Sequence, residues 1–432
     1  MGSQPPYLRC DRHLDGLWWQ QAGGPERCLR STVRNKSSEH PNSRCGNTPA
    51  DGGITAGRWG ANPHADRARR CDRGLVLTPP VPGLTVSAHS VLDVVPQLPG
   101  QSAAAALRET AEVALAADDL GYRRFWIGEQ HGVRGVGGAA PAVLAAVLAA
   151  RTDRIRLGAG GLLLTNHQPL VVAEQFAALA AAYPGRIDLG VAEQSTVAPS
   201  TAAALASGAR NTFPQRLDEL CGFLRDGTPG RAPVGDVRLS LAGQAPPVFV
   251  LADRPAAAMT AAARGLPVFL AHHCAAATTP AAMAAYREHF EPTGPKTRPY
   301  IAATVGVVAA DSDEEALIRF AEYVRVQSRL AAAGARATPG ELMALLEPPL
   351  TGRERGKAER LLDYPGHIVG SRATVAAALG GLVVETTADE LMLVPLAFDG
   401  LIRSSILRNV ASALTRVVRT VPRSAPPLIA TA

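Results

Sequence analysis

The feature that most restricts the fold is a regular alternation of short apolar runs with helix-forming stretches, which starts at Leu84. Several runs, such as LGAGGLLL and VFVLA, are continuously apolar, as in parallel strands that are covered on both faces. Eight segments have the length and composition of strands: 84–95, 123–128, 155–164, 186–191, 247–252, 267–271, 301–309 and 390–395.

Stretches rich in Ala, Leu, Glu and Arg predict helices near 102–120, 139–151, 169–183, 213–226, 255–264, 280–290, 312–332, 371–382 and 400–417. Eight strands with intervening helices are typical of the α/β class, and specifically of a (β/α)8 TIM barrel with insertions, here assigned to residues 84–420. The competing architecture is an open doubly wound sheet. It would require a glycine-rich dinucleotide-binding loop after the first strand, and VLDVVPQLPGQS contains none.

Two connections of the predicted barrel, 192–212 and 330–364, exceed ordinary loop length. Insertions of this kind in barrels form substrate-covering lids or short extra helices. The helices at 102–120 and 139–151 are rich in alanine, which permits close approach of another helix. They either pack in the outer ring in the ordinary way or form the surface of a homodimer.

Residues 1–83 are rich in Gly, Pro, Arg, Ser and Asn and show no sustained period of a helix or a strand. Such a segment cannot bury enough apolar surface to offset the entropy of ordering it, so we expect a disordered or mis-assigned N-terminal extension. It carries 12 Lys and Arg against 7 Asp and Glu, so nearly all of the net charge of +6 lies there. The nearly neutral remainder argues against a nucleic-acid partner.

Four of the six cysteines also lie in residues 1–83, and only Cys221 and Cys274 follow. Two isolated thiols in a body of this size favour a reducing compartment. The absence of a signal-peptide pattern and of an apolar run of about 18 residues points to a cytoplasmic protein without a membrane segment. No metal site is expected, because the N-terminal cysteines lack a CxxC pair and His272-His273-Cys274 has no further ligand at an obvious spacing.

Active sites of such barrels lie at the carboxyl ends of the strands, so the polar residues that follow each strand are the candidates. Glu129, Gln130 and His131 follow the second predicted strand, where they form either a ligand-binding cluster or a charged surface loop. Gly160 and Gly161 lie within the third strand, where glycines mark either a bulge or bend of the barrel strand or a close approach by a ligand or by another backbone.

The fifth predicted strand is followed by Asp253-Arg254-Pro255 at the start of a helix. The free amides and the dipole of a helix N-terminus attract anions, and Arg254 would strengthen the attraction. An ordinary capped helix start is the alternative. The body contains no GxSxG elbow, P-loop or HExxH motif, which argues against several hydrolase and phosphotransfer functions.

Several segments in order, from about residue 90 to 411, resemble the luciferase-like monooxygenase family of flavin-dependent oxidoreductases: SVLDVVP, LGYRRFWIGEQH, RIRLGAGGLLLTNHQPLVVAEQF, YPGRIDLGV, LPVFLAHH, RPYIAATVGVVAADSDEEA, PGHIVGS and DELMLVP. The resemblance implies a TIM barrel that binds reduced FMN, supplied by a separate flavin reductase, and uses O2 to oxygenate a small organic substrate. Some relatives use the deazaflavin F420 instead, and relatives often form dimers.

Carried over position by position, the resemblance implies catalytic roles at Glu129, Gln130 and His131. The family motif there reads Glu-His-His, so Gln130 replaces an imidazole with an amide that cannot take up a proton near neutral pH. The pair Gly160–Gly161 matches a position where some relatives hold a non-prolyl cis peptide under the flavin. The matched positions predicted to bind the cofactor are Asp93, Gly160, Gly161, Asn166, Ala192, Glu193, Ala252, Asp253 and Arg254.

Ala192-Glu193 occupies the place of a family arginine that pairs with the flavin phosphate, and an acidic side chain there would repel a dianion. The serine-rich phosphate loop of the family is altered to Asp253-Arg254-Pro255. We hypothesise that Arg254 restores the lost positive charge from across the site. The losses at 130 and 193 also fit a second function, that of a catalytically degraded barrel which serves as a binding or partner subunit.

Overall fold

A computed structural model describes residues 88–193, 198–205, 212–225, 237, 239, 241, 245–293, 298–333 and 337–420. The extension predicted for residues 1–83 lies outside the described residues. So do residues 84–87 of the first predicted strand and parts of both long connections.

The described residues form nine strands, which pair in parallel throughout. Strands β1 to β7 are neighbours in chain order, and β9 lies between β7 and β1, so these eight strands close the predicted TIM barrel. The strands are β1 (Ala88–Asp93), β2 (Arg124–Ile127), β3 (Arg156–Leu163), β4 (Ile187–Ala192), β5 (Val248–Ala252), β6 (Val268–Leu270), β7 (Ile301–Ala310), β8 (His367–Ser371) and β9 (Glu390–Pro395).

The strand β8 is an addition that the sequence analysis did not predict. It pairs with β7 from Gly306 to Ala310, beyond the part of β7 that pairs with β6. Its five residues, HIVGS, are too short and too polar to stand out from the loop around them. The strand therefore depends on the length of β7, which extends past the barrel and offers a free edge.

Helices follow the strands as the spacing predicts. Most begin at a side-chain cap or at a proline in the first turn, where the missing N–H costs nothing. The helices are α1 (Ala103–Asp119), α2 (Pro141–Ala149), α3 (Pro169–Ala182), α4 (Pro199–Ala204), α5 (Phe213–Leu224), α6 (Pro255–Ala262), α7 (His272–Ala275), α8 (Thr279–Glu288), α9 (Asp313–Ala332), α10 (Pro339–Leu346), α11 (Gly352–Leu362), α12 (Arg372–Thr386) and α13 (Gly400–Thr420). No helix in these ranges is long and apolar enough to cross a membrane.

The two long connections contain the extra helices that were expected. The first carries α4, and the second carries α10 and α11, each of which starts with a capping box. Arg329 of α9 holds the second insertion, because its guanidinium pairs with Glu354 of α11 and donates to the carbonyl oxygens of Leu345 and Pro348. The insertion is thus attached to α9 through charge-assisted hydrogen bonds.

The amino-terminal part of the barrel interior is polar. The Arg124 guanidinium lies 2.7 Å from Asp188 Oδ2 and 2.8 Å from Glu390 Oε1, and all three side chains are almost completely buried. Burial lowers the pKa of Arg124, but the two carboxylates outweigh burial and raise it, so the guanidinium remains charged. Tyr300 donates to Glu390 at 2.5 Å, and Ser90 donates to the same carboxylate.

Aromatic rings stack directly on this charged layer. The Arg124 guanidinium lies 4.8 Å from the Phe249 ring centre, and Trp126 packs on Phe249 and Phe269 at 5.2 and 4.6 Å. The indole N–H of Trp126 donates to Asp188 at 3.1 Å. The alternation of strand residues places Arg124 and Trp126 on the same inward face of β2. The barrel therefore closes around a cation covered by aromatic faces.

Helices α2 and α3 expose apolar side chains. Val143 and Val147, one turn apart on α2, are 64% and 51% exposed, and Val171 of α3 is 47% exposed. Val143 and Val147 lie on one of the two alanine-rich helices for which the sequence analysis left a homodimer surface as one alternative. The dimer stays a prediction.

Candidate functional site

The predicted site residues gather at one end of the barrel because all of its strands are parallel. Glu129, Gly161, Glu193 and Asp253 lie in or just after the carboxyl ends of β2, β3, β4 and β5. Neighbouring strands are in register there, since Leu163 of β3 pairs with Ala192 of β4. We call this end of the barrel the mouth.

The centre of the mouth holds one carboxylate between two imidazoles. Glu129 Oε1 lies 2.6 Å from His131 Nε2 and 2.8 Å from His167 Nε2, and the backbone N–H of Leu163 donates to Oε2 at 2.9 Å. Glu129 is buried, whereas the side chains of His131 and His167 are 18% and 32% exposed. We call Glu129, His131 and His167 the carboxylate–imidazole cluster.

Local structure explains why these three residues meet. His167 follows a single 3-10 turn, Leu164–Asn166, that ends β3, and Arg216 of α5 donates to the His167 carbonyl oxygen. Burial raises the pKa of Glu129, but the hydrogen bonds from His167, His131 and Leu163 outweigh burial and lower it. The carboxylate is therefore ionised, and it ties the loop after β2 to the end of β3.

His167 was not among the predicted site residues. Its place directly after Asn166 at the end of the third strand was the available signal, because the predicted cluster after the second strand is adjacent to it in a parallel barrel. Although Gln130 supplies no imidazole, the mouth therefore still holds two imidazoles, those of His131 and His167. The pairing of His131 and His167 on one carboxylate required the tertiary structure.

The peptide bond between Gly160 and Gly161 is cis, as the resemblance predicted. A Cβ on Gly160 would lie 2.4 Å from the Trp126 ring, and a Cβ on Gly161 would lie 2.8 Å from the Ala192 Cβ. These glycines therefore allow close packing of Trp126 and β4 inside the barrel. Their missing side chains face protein atoms and do not open a space for a ligand.

Asn166 is better placed to bind a polar ligand than Gly160 and Gly161 are. Both polar atoms of its side-chain amide are shielded from solvent and have no hydrogen-bond partner among the described residues. A buried amide without partners costs free energy, and a bound group with a donor and an acceptor would recover it. The polar edge of a flavin ring carries such groups, so Asn166 fits the predicted cofactor.

Glu193 and Arg254 form a direct ion pair, and Asp253 Oδ1 lies 3.2 Å from Arg254 Nη1. The hypothesis that Arg254 acts from across the site is therefore wrong in its geometry, because Arg254 contacts Glu193 itself. One cation between two carboxylates leaves a local charge of −1. This corner of the mouth does not fit a dianionic phosphate in its present arrangement.

Asp93, which was predicted to bind the cofactor, contacts protein groups instead. Its carboxylate accepts a hydrogen bond from Val95 N–H at 2.6 Å and pairs with Arg403 of α13, and both side chains are buried. The carboxylate is thus occupied by protein groups. The pair ties the end of β1 to the last helix.

The neighbouring histidines that suggested a metal in the sequence bind protein groups instead. His272 Nε2 lies 3.0 Å from the Pro365 carbonyl oxygen, and His273 Nδ1 lies 2.5 Å from Thr304 Oγ1. Burial and the neighbouring imidazoles lower the pKa of His273 to about 3 and that of His367 to about 4. Both imidazoles are therefore neutral in the folded protein at pH 7.

Stability is expected to fall as the pH drops from about 6.5 toward 4, because His273 and His367 take up protons in the unfolded chain before they do so in the folded one. Each contributes roughly 2 kcal/mol of loss at pH 5, from about 1.4 kcal/mol per pKa unit. Urea unfolding of wild type at pH 7 and pH 5 measures the loss. His367→Gln should flatten the dependence, whereas His289→Gln, at an exposed position, should not; equal slopes for all three proteins would contradict the expectation.

Comparisons with known proteins agree with this architecture. A sequence model of the family described as luciferase-like monooxygenase matches residues 88–390. A protein of Escherichia coli (strain K12), described as a luciferase-like monooxygenase, is 34% identical over 319 residues, which cover 72% of this chain and 92% of that protein. The crystal structure of apo-MsnO8 is 32% identical, covers 76% of this chain and 97% of its own, and has a TM-score of 0.66.

A more distant solved structure shares the fold. It is the oxygenating constituent of 3,6-diketocamphane monooxygenase from the CAM plasmid of Pseudomonas putida, a type II Baeyer-Villiger monooxygenase in complex with FMN. It is 19% identical and has a TM-score of 0.53, and the match covers 76% of this chain and 98% of that structure.

Proposed function

The chain belongs to the luciferase-like monooxygenase family, and from this premise we propose that it is a flavin-dependent monooxygenase that uses reduced FMN and O2 on a small organic substrate. Family membership makes it an oxidoreductase of the monooxygenase type. The observation that supports the flavin is the buried amide of Asn166, which faces no protein partner at the mouth of the barrel. A separate flavin reductase would supply the reduced cofactor.

The flavin, when bound, supplies the redox chemistry, and the protein binds it, orients it and excludes water. Asn166 would hold the polar edge of the ring, beside the Gly160–Gly161 peptide. Glu129 fixes the orientation of His131 and His167, so that both imidazole rings are held at the end of β3. Gln130 would form hydrogen bonds but would not take up a proton.

The inserted helices would cover the reaction. A Cβ on Gly132 would lie 2.4 Å from Thr201 Oγ1, so α4 lies directly on the loop after β2. A cavity of about 350 Å³ lies between that loop, the loop after β1 and helix α10, and Leu98, Val133, Arg134 and Leu342 line it. Gln97 and Gln101 line it as well, and this cavity of mixed polarity is the proposed place for a small substrate.

The proposal is tested by anaerobic titration of the full chain with FMN, reduced FMN and F420, followed by flavin fluorescence or absorbance. Binding of FMN or reduced FMN at micromolar concentrations would support a monooxygenase, and preferential binding of F420 would point to a deazaflavin-dependent oxidoreductase. Failure of all three to bind below millimolar concentration would refute the enzyme and favour the degraded partner barrel, which the −1 corner at Glu193 also fits.

The substitution Glu193→Arg is expected to tighten FMN binding by about tenfold or more, since it changes the charge of the corner by two units, from −1 to +1, and each unit is worth up to about 1 kcal/mol near the surface. Arg254→Ala should weaken FMN binding, because it takes the corner from −1 to −2, whereas Glu193→Ala should tighten it, because it takes the corner to zero. The dissociation constants of wild type and of the three variants are measured by titration at low ionic strength.

Riboflavin is the matched ligand control, because it carries the same ring without the phosphate. Glu193→Arg should leave riboflavin binding within about twofold of wild type, since no interaction with a phosphate is involved. A parallel gain for riboflavin and FMN would show that the corner acts on the ring or on the fold. The phosphate assignment would then be wrong.

A further inference from the structure

The carboxylate–imidazole cluster has a second chemical capacity. Glu129, His131 and His167 each offer one ligand atom, and these three atoms lie within 4.8 Å of one another. Both Nε2 atoms point at the same carboxylate oxygen, at 2.6 and 2.8 Å. Two imidazoles and one carboxylate are a common donor set for divalent first-row transition metals.

We propose that Glu129 Oε1, His131 Nε2 and His167 Nε2 form a binding site for a divalent transition-metal ion, with Zn²⁺ as its simplest occupant. Bonds of about 2.0–2.1 Å around a tetrahedral ion place neighbouring ligand atoms roughly 3.4 Å apart. Because the two imidazole nitrogens now lie 2.6 and 2.8 Å from Glu129 Oε1, they need to move outward by roughly 0.6–0.8 Å, with the ring hydrogen carried on Nδ1. Their partial exposure permits such a movement and gives the ion a path from solvent.

Groups around the cluster hold its ligands in place. Leu163 N–H holds Glu129 Oε2, so the carboxylate keeps its orientation while Oε1 binds the ion, as supporting hydrogen bonds do in metal sites. Arg216 is anchored to the carbonyl oxygen of His167 and so fixes the backbone of one ligand. Three protein ligands leave a fourth position open for water or an exogenous group.

The site bridges two neighbouring elements of the barrel mouth. His131 belongs to the loop after β2, and His167 follows the turn that ends β3. A bound ion would hold the loop after β2 onto the end of β3. It would also occupy both Nε2 atoms, so that they could not bind another ligand. The ion is thus expected to stabilise the fold and to compete with any ligand that needs these imidazoles.

The test uses the full chain without flavin, and it therefore succeeds or fails independently of the proposed monooxygenase activity. Wild type should bind one more equivalent of Zn²⁺ in calorimetric titration than Glu129→Gln or His167→Gln. The affinity of that equivalent should fall on the order of 100-fold or more in the variants, because even outer supporting groups of metal sites contribute 10- to 100-fold. His289→Ala, at an exposed histidine, is the matched control and should retain wild-type binding.

Two further measurements separate this site from the N-terminal cysteines. Co²⁺ bound at the cluster should show visible bands without the near-ultraviolet thiolate absorption that cysteine ligands give. Zn²⁺ should raise the Tm of wild type but not that of His131→Ala, whose side chain is partly exposed. Equal zinc stoichiometry and equal stabilisation in wild type and in all three cluster variants would overturn the proposal, as would cobalt spectra of thiolate type alone.

Discussion

Replacing Arg124 by leucine is expected to lower the free energy of unfolding by about 3–5 kcal/mol, the cost of breaking a buried ion pair. The guanidinium serves two buried carboxylates, those of Asp188 and Glu390. Leucine fills part of the volume but removes the buried cation that the two carboxylates share, which leaves them paired with the more exposed Arg156 and Arg123. Urea unfolding at pH 7, followed by circular dichroism, measures the effect.

The matched control is Arg298→Leu. Arg298 also pairs with an aspartate, Asp389, at 2.9 Å, but its side chain is 75% exposed. Exposed pairs of this kind contribute about 0–1 kcal/mol, so the control should lose little stability. Similar losses for the two variants would show that water reaches the Arg124 layer and that its burial is not what makes the pair important.

Asp93→Asn, as a separate substitution, is expected to lower the free energy of unfolding by about 3–5 kcal/mol. The mechanism is the same, the breaking of a buried ion pair, but it acts at the other end of the barrel. Asparagine can still accept the hydrogen bond from Val95 N–H, but it removes the charge that faces Arg403. Arg403 is buried, and its Nε and Nη2 atoms have no hydrogen-bond partner among the described residues. The substitution would therefore leave an uncompensated cation inside the protein.

This second variant also separates two roles for Asp93. A structural role predicts a large loss of stability in urea, with FMN affinity of the folded fraction within about threefold of wild type. A cofactor ligand predicts the reverse, a loss of affinity with little loss of stability. Asp253→Asn, which also removes one carboxylate from an arginine pair but at an exposed position, should change stability by less than about 1 kcal/mol.

The described part of the barrel could be predicted almost completely from the sequence, because each of its eight strands is an apolar run bounded by polar turns. The short strand β8 could not, since HIVGS forms a strand only against the extended edge of β7. The positions of the site residues followed from the same logic. Parallel strands bring the residues that follow them to one end, which is why Glu129, Glu193 and Asp253 could be placed at the mouth in advance.

The contacts among those residues could not be predicted from the sequence. Local sequence offered no sign that Arg254 would pair with Glu193, that Asp93 would face Arg403 310 positions away, or that His167 would share a carboxylate with His131. Ion pairs and hydrogen bonds depend on distances of a few tenths of an ångström between side chains on different elements. Strand order alone does not define such distances.

The sequence by itself determined a (β/α)8 barrel of the luciferase-like family with its polar residues at the carboxyl ends of the strands, because periodicity and chain order are local properties that every strand and helix carries within itself. The tertiary structure alone decided which of those residues act together. It joined Glu129 to two imidazoles, turned Arg254 toward Glu193 and buried Asp93 against Arg403, since charged groups that closure of the barrel removes from water must find partners wherever the chain brings them.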